Sequence, residues 1–228
     1  SIYHTFLKGN YGFDFNNFLG LSSTDELYNY AFQSNLVGFF SNYTFSKKQF
    51  NLISGVHGNI YNRQHTGSEK TIGQLYQNTG YKNEISVFTK VDYSLKWLTF
   101  FADVQYRYVN FNYKGSVAFQ KLDWQFINPK AGLSATINNN SILYYSVGYT
   151  GREPTRNDMF GGNDDLLSDS LGNAILSNTN PEFVLNHELG FRFQKEKLNF
   201  NANLYYMNFQ NEIVLDGKFG PNSLALTN

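Results

Sequence analysis

Hydrophobic and polar residues take turns along this chain with a period of two. From Glu84 to Leu95, Ile85, Val87, Thr89, Val91, Tyr93 and Leu95 fall on one parity, and Ser86, Phe88, Lys90, Asp92 and Ser94 on the other. Successive side chains of a strand point to opposite faces, so the spacing predicts a strand and not a helix. After Lys96-Trp97 the pattern resumes. Leu98, Phe100, Ala102, Val104, Tyr106 and Tyr108 face Thr99, Asp103, Gln105 and Arg107 across the parity, with Phe101 as an exception. The same alternation runs through 127–137, 143–149, 189–193 and 198–206. In these segments Lys90, Asp92, Asp103, Arg107, Lys130, Glu188 and Arg192 all sit on the polar parity, and none on the apolar one. Asn29 to Phe45 and Phe50 to Tyr61 are strand-like but less regular, as a bulge would make them.

The connections alternate as well. Short polar turns are predicted near 46–49, 96–97, 138–141 and 195–197, and longer loops near 9–28, 62–82, 113–123 and 152–181. Alternation of this kind gathers the short turns at one end of a sheet and the long loops at the other. Strands of about 10–14 residues exceed the usual ~5–6 and suffice for a tilted bilayer crossing of ~9–11. The predicted fold is therefore all-β: an antiparallel transmembrane barrel segment of about nine strands, with short periplasmic turns and long extracellular loops. A soluble β-sandwich also has one apolar and one polar face, and stays open as the alternative.

Composition narrows the field only in places. The 228 residues include 22 Phe and 17 Tyr but 2 Trp, and the formal net charge is zero. No field points to nucleic acid or acidic lipid. The absence of cysteine removes disulfides, thiolate metal sites and cysteine nucleophiles. No apolar run is long enough for a membrane helix, and the mean hydropathy of −0.42 says nothing against a barrel, whose alternating strands average out. Ser1 opens inside a strand-like stretch and Asn228 closes in a loop-like one, so both ends read as cuts. His4, His57, His65 and His187 are scattered over different elements, and no catalytic or nucleotide-binding motif appears. An enzyme is not expected, nor a cofactor.

Two stretches carry a family resemblance. "FINPKAGLSATINNNSILYYSVGYTGREPTRNDMF" (Phe126 to Phe160) resembles a barrel segment of TonB-dependent outer-membrane receptors, in which a Pro-Lys-x-Gly-Leu strand, a short turn and an aromatic strand lead into an Arg-x-Pro-Thr loop. "NPEFVLNHELGFRFQKEKLNFNANLYYMNFQNEIV" (Asn180 to Val214) is similar to the hairpin that follows there. The family's energy-coupling box, globular plug and aromatic carboxyl-terminal strand are not found, so the resemblance implies an incomplete barrel piece spanning 1–228. It implies an outer-membrane importer of a scarce solute such as a siderophore or other metal chelate, cobalamin or a carbohydrate. Its implied partners are outer-membrane lipid, a plug from the same parent chain, a TonB-type energy transducer and the solute, with no nucleic acid. A sandwich-type glycan-binding module and a passive porin remain the alternatives.

On the family reading the apolar parity faces lipid, with Tyr93, Tyr108, Tyr149 and Tyr206 near the interfaces. Lys90, Asp92, Asp103, Arg107, Glu188 and Arg192 face the lumen and the plug. The 152–181 loop stands where solute arrives. Its candidate ligand-binding residues are Arg152, Glu153, Arg156, Asn157, Asp158, Asp164 and Asp165, with Pro154 stiffening the strand exit and Gly161, Gly162 and Asn163 suited to positive φ. Three readings of the cluster compete. The arginines latch the loop through its carboxylates, or they grip an anionic chelate, or Asp164, Asp165 and Asp169 offer oxygens to calcium. No resident metal site is expected.

Overall fold

The structure, a computed structural model, describes every residue except 15, 17–19, 21, 23–26, 220–223 and 228, and describes 215–219 and 224–227 by backbone alone. Much of the expected 9–28 loop therefore lies outside the described residues. The alternating segments form one nine-stranded antiparallel meander in which each strand pairs with its sequence neighbours. The strands are β1 (Ile2–Asp14), β2 (Leu27–Lys47), β3 (Phe50–Glu69), β4 (Gly73–Leu95), β5 (Leu98–Lys114), β6 (Leu122–Asn138), β7 (Ser141–Arg152), β8 (Glu182–Lys195) and β9 (Leu198–Gln210). A separate hairpin of β10 (Val214–Phe219) and β11 (Leu224–Thr227) follows, and one four-residue helix, α1 (Arg156–Met159), lies between β7 and β8.

The register fixes the faces, because directly paired residues of an antiparallel sheet share a face. Ser86 pairs with His57 and Arg107, and Arg107 with Phe126. Asp103 pairs with both Lys90 and Lys130, and Ser146 with Glu188. All six predicted lumenal residues lie on this one face. The exception Phe101 lies there too, with the ammonium groups of Lys90 and Lys130 each 6.0 Å from its ring. The opposite face is bare. Ser86 is 2% exposed while its neighbours Ile85 and Val87 are 43% and 47% exposed. Phe100, Leu143 and Leu204 are exposed in the same way, and no second sheet covers them among the described residues. A sandwich would have buried them, and that alternative is set aside.

The height of the apolar stripe is informative. On β4, β5 and β6 the outward apolar runs are Ile85–Leu95, Leu98–Tyr108 and Ile127–Ile137, each ten residue steps long. Ten steps at ~3.3 Å make about 33 Å along the strand, and a tilt of ~40° reduces that to about 25 Å, the height of a barrel's apolar band. β3 and β4 run far beyond it, at 20 and 23 residues.

The strands shorten three expected loops; in the first, residues 9–14 and 27–28 are strand. The predicted loop at 62–82 is strand almost throughout, and the chain reverses at residues 70–72. Above the apolar band both faces of a strand meet water or polar loop, so the alternation that marks a strand disappears although the ladder continues. The predicted 113–123 loop likewise shrinks to 115–121. The short turns are two residues each, at 48–49, 96–97, 139–140 and 196–197. Lys48, Lys96 and Glu196 adopt positive φ there, which turns the chain at a cost of about 1 kcal/mol each.

Candidate functional site

At the end of the sheet away from the short turns, the polar face becomes apolar. Val109, Phe111 and Tyr113 of β5 continue the parity of Arg107, and Trp124 and Phe126 of β6 lie beside them. Met159, Phe160 and Leu166 of the 153–181 loop bury themselves on this patch, with Val117, Phe119, Leu122, Ala174 and Leu176 at its margin. Phe160 meets Phe111 and Tyr113 edge-on, at 6.2 and 5.2 Å between ring centres. Each such side chain contributes about 1.5–3 kcal/mol on burial. Gly151 closes β7 where any Cβ would lie 2.5 Å from the Phe126 ring, so the strand exit needs glycine. The loop is a small folded unit laid across the sheet.

Polar contacts pin the loop on its other side. Thr155 caps α1, accepting from the Asp158 amide at 3.2 Å while Asp158 accepts from the Thr155 amide at 2.7 Å. Glu153, 5% exposed at its side chain, accepts from Arg107 at 2.8 and 3.0 Å and lies 2.5 Å from the Lys82 ammonium. Arg107 donates also to both oxygens of Glu84, each at 2.9 Å. Burial favours a neutral Glu153, yet Lys82 and Arg107 outweigh it and hold the carboxyl below its ordinary range. Arg152 forks onto Glu182 at 2.6 and 3.1 Å. Arg156 donates to the Asp164 carbonyl and to Asn78 and lies over the Phe160 ring at 4.7 Å.

The acidic residues are used one by one. Asp164 accepts from Tyr76 at 3.2 Å and lies 3.4 Å from His65, which, with Arg156 and Tyr76, holds its carboxyl low against the effect of burial. Asp165 accepts from Asn78 at 3.0 Å and Tyr113 at 2.5 Å. Asp169 closes its own turn through the Leu171 and Asn173 amides. No three carboxylates or histidines converge on a metal-sized point among the described residues, so nothing in the geometry favours the calcium reading. Gly161 and Gly162 adopt positive φ, whereas Asn163 does not, and its amide donates to Phe160 instead. On the outward face His187 accepts or donates at 2.7 Å with the Tyr145 hydroxyl.

Between loop and sheet lies a cavity of about 360 Å³. Glu153, Arg156, Asn157 and Asp164 line it from the loop, while Arg152, Asp158 and Asp165 lie elsewhere in the framework. Its other wall is β3 and β4, with Tyr61, Arg63, His65 and Lys82. None of these four stood out in the sequence. Arg63, His65 and Lys82 fall in the stretch that patterns as a loop, Tyr61 ends the strand-like run before it, and only the extended ladder brings the four opposite Glu153 and Arg156. A smaller recess of about 210 Å³ adjoins Arg63, walled by Tyr11, Tyr30, Phe32 and Tyr76.

Residues 2–228 match the family described as TonB dependent receptor-like, beta-barrel. The chain belongs to the TonB-dependent receptor β-barrel family. Its members are outer-membrane receptors and transporters, not enzymes. Among solved structures, "Copper transporter OprC" matches with a TM-score of 0.79 at 12% identity, over 99% of this chain and 37% of that one. The ferric yersiniabactin uptake receptor FyuA from Yersinia pestis matches with 0.64 at 11% identity, over 93% and 33%. The ferric citrate transporter FecA in its unliganded form matches with 0.59 at 12% identity, over 84% and 30%. Likeness at such identities speaks for the fold alone. No curated protein sequence matches. The chain spans about a third of the length of these structures.

Proposed function

We propose that this chain is a wall section of an outer-membrane importer that captures a scarce small solute at its extracellular end. In this reading a plug from the same parent protein closes the lumen, and a TonB-type partner supplies the energy to release solute inward. β1 and β9 pair on one side only among the described residues. Unpaired ladder edges are not tolerated in lipid, so further strands complete the barrel. Lys90, Asp92, Asp103, Arg107, Glu188 and Arg192 face the lumen, where the plug moves. The observation that carries the proposal is the cavity under the folded loop. It stands above the apolar band, on the lumenal face, and its lining mixes charge with aromatic rings, as solute pockets do. Glu153, Arg156, Asn157 and Asp164 form its loop side.

The solute class follows the family's range: a metal chelate, a corrinoid or a carbohydrate. Similar structures are a copper transporter, a ferric yersiniabactin uptake receptor and a ferric citrate transporter, which supports metal or metal chelate as the first class to test. The full-length receptor in proteoliposomes should bind one solute class saturably and import it only when the energy transducer is present. Free diffusion of every small solute, with no saturable binding, would mean a passive porin.

A further inference from the structure

Within that receptor reading, Arg63 differs from the other cations around the cavity in having neither an ion pair nor a hydrogen bond among the described residues, although Arg156 too has a buried, unbonded Nε. Lys82 and Arg107 share Glu84 and Glu153, Arg152 has Glu182, and Arg156 has Asn78 and the Asp164 backbone. Arg63 has no carboxylate partner among the described residues, and its Nε is buried without a hydrogen bond. Its guanidinium lies 4.2 Å from the centre of the Phe32 ring. Its direct cross-strand partners are Ser34 and Gly80, neither of which carries a counter-charge, and the Phe111 ring and the Arg156 side chain pack over Gly80. Arg63 borders both the main cavity and the adjoining recess, with Tyr30, Tyr61 and Tyr76; Asp164 borders both as well, but is engaged by His65, Arg156 and Tyr76. Counting lining charges, Arg63, Lys82 and Arg156 stand against Glu153 and Asp164, which leaves one positive charge unmatched.

A cation taken out of water without a counter-charge is costly, and a guanidinium presents a donor fork that fits a carboxylate or phosphate edge. We infer that the cavity takes a solute bearing an oxyanion, a carboxylate or phosphate-type group, and that Arg63 is its main contact. Neutral carbohydrates leave Arg63 unmatched and are disfavoured. The same chemistry could come from a carboxylate of the receptor outside these 228 residues, so the test separates the two sources.

The full-length receptor in detergent is treated with phenylglyoxal, which labels accessible, unpaired arginines, and the sites are read by mass spectrometry. Arg63 should label at least about ten times faster than Arg107 or Arg152. Citrate and inorganic pyrophosphate should protect it, and maltose should not. Arg63→Gln should weaken the binding of ferric citrate, used as the anionic probe, about 10- to 150-fold, with Arg63→Lys between. Heat-modifiable gel mobility checks that each variant barrel is folded, and the wild-type labelling stands whatever the variants do. An Arg63 that resists labelling without added anion is paired by the receptor itself, and the inference falls. It falls equally if labelling is fast but no anion protects. Tight binding of a neutral solute, unaffected by Arg63→Gln, would sink the anion assignment and leave the receptor reading intact. Failure of every solute class to bind would sink that reading instead.

Discussion

Glu153→Gln tests whether the charge cluster is what holds the extracellular loop down. The wild-type group is neutral overall: Lys82 and Arg107 against Glu84 and Glu153. The substitution keeps the shape and leaves one positive charge in excess at a site where Arg107 is only 18% exposed. Removing one partner of a fully buried pair costs about 3–5 kcal/mol. Lys82 is 35% exposed and recovers water, which discounts its share, so the net cost is about 2–3 kcal/mol. Opening of the loop should become easier by that amount, because Glu153 is its first residue and α1 follows directly. In hydrogen exchange on the full-length receptor, the Met159 and Ser177 amides, bonded to Thr155 and Met159, should exchange about 30- to 150-fold faster. Global barrel stability should hardly change. Adding Lys82→Met restores neutrality and should recover at least half of the protection. A change under about threefold in the single variant, or no recovery in the double, would refute an electrostatic anchor and leave the apolar patch as the whole latch.

Other perturbations separate the remaining contributions. Met159→Ala empties a fully buried site and should destabilise the loop by about 2–5 kcal/mol, seen as faster exchange at Phe160 and Ser177, whereas Leu167→Ala, at an exposed position, should not. Val91→Arg puts a cation at the middle of the outward band and should cost about 2–4 kcal/mol of barrel stability in lipid, measured by urea unfolding in vesicles. The carboxyls of Glu153 and Asp164 are both held low in the folded loop. Their stabilisation is therefore complete above the ordinary values of 4.5 and 3.8 and drains away as pH falls below them. Loop protection should be flat from pH 7 to about 5 and drop on further acidification, and a loss already complete at pH 6 would contradict the ion pairs.

Most of the sheet was legible because the two faces of every strand within the band carry opposite polarities. There the alternation of Ile85 to Leu95 or Leu98 to Tyr108 is unavoidable, and the short turns follow from it. Outside the band that constraint lapses. Arg63, His65 and Lys82 belong to strand ends whose two faces are both polar, so their ladder leaves no trace in hydropathy and reads as loop. The loop itself announced its charges but not their partners. Arg107 and Glu84 lie on strands far from Glu153 in sequence, and only the register across β4, β5 and β6 shows that they meet. The apolar patch of Val109, Phe111 and Trp124 was equally hidden, since large apolar residues on the lumenal parity look like breaks in the pattern until a loop is seen to cover them.

This division bears on where recognition can reside. A charged side chain already matched by its own protein has little left to offer a solute, because engaging the solute means giving up the first partner. Arg152, Glu153, Asp158 and Asp165, conspicuous in the sequence, are spent in this way on Glu182, on Lys82 and Arg107, on the cap of α1, and on Asn78 and Tyr113. They make a rigid roof. Its cost in mobility is set against a gain in preorganisation, since a cavity held open in advance needs no ordering when solute arrives. The group left without a partner is on the wall, not the roof. Arg63 lies 4.2 Å from the centre of the Phe32 ring, with its Nε buried and unbonded. On the proposed reading, a donor fork in a preformed recess discriminates by charge first and shape second, the order of selection that capture of a dilute anion requires.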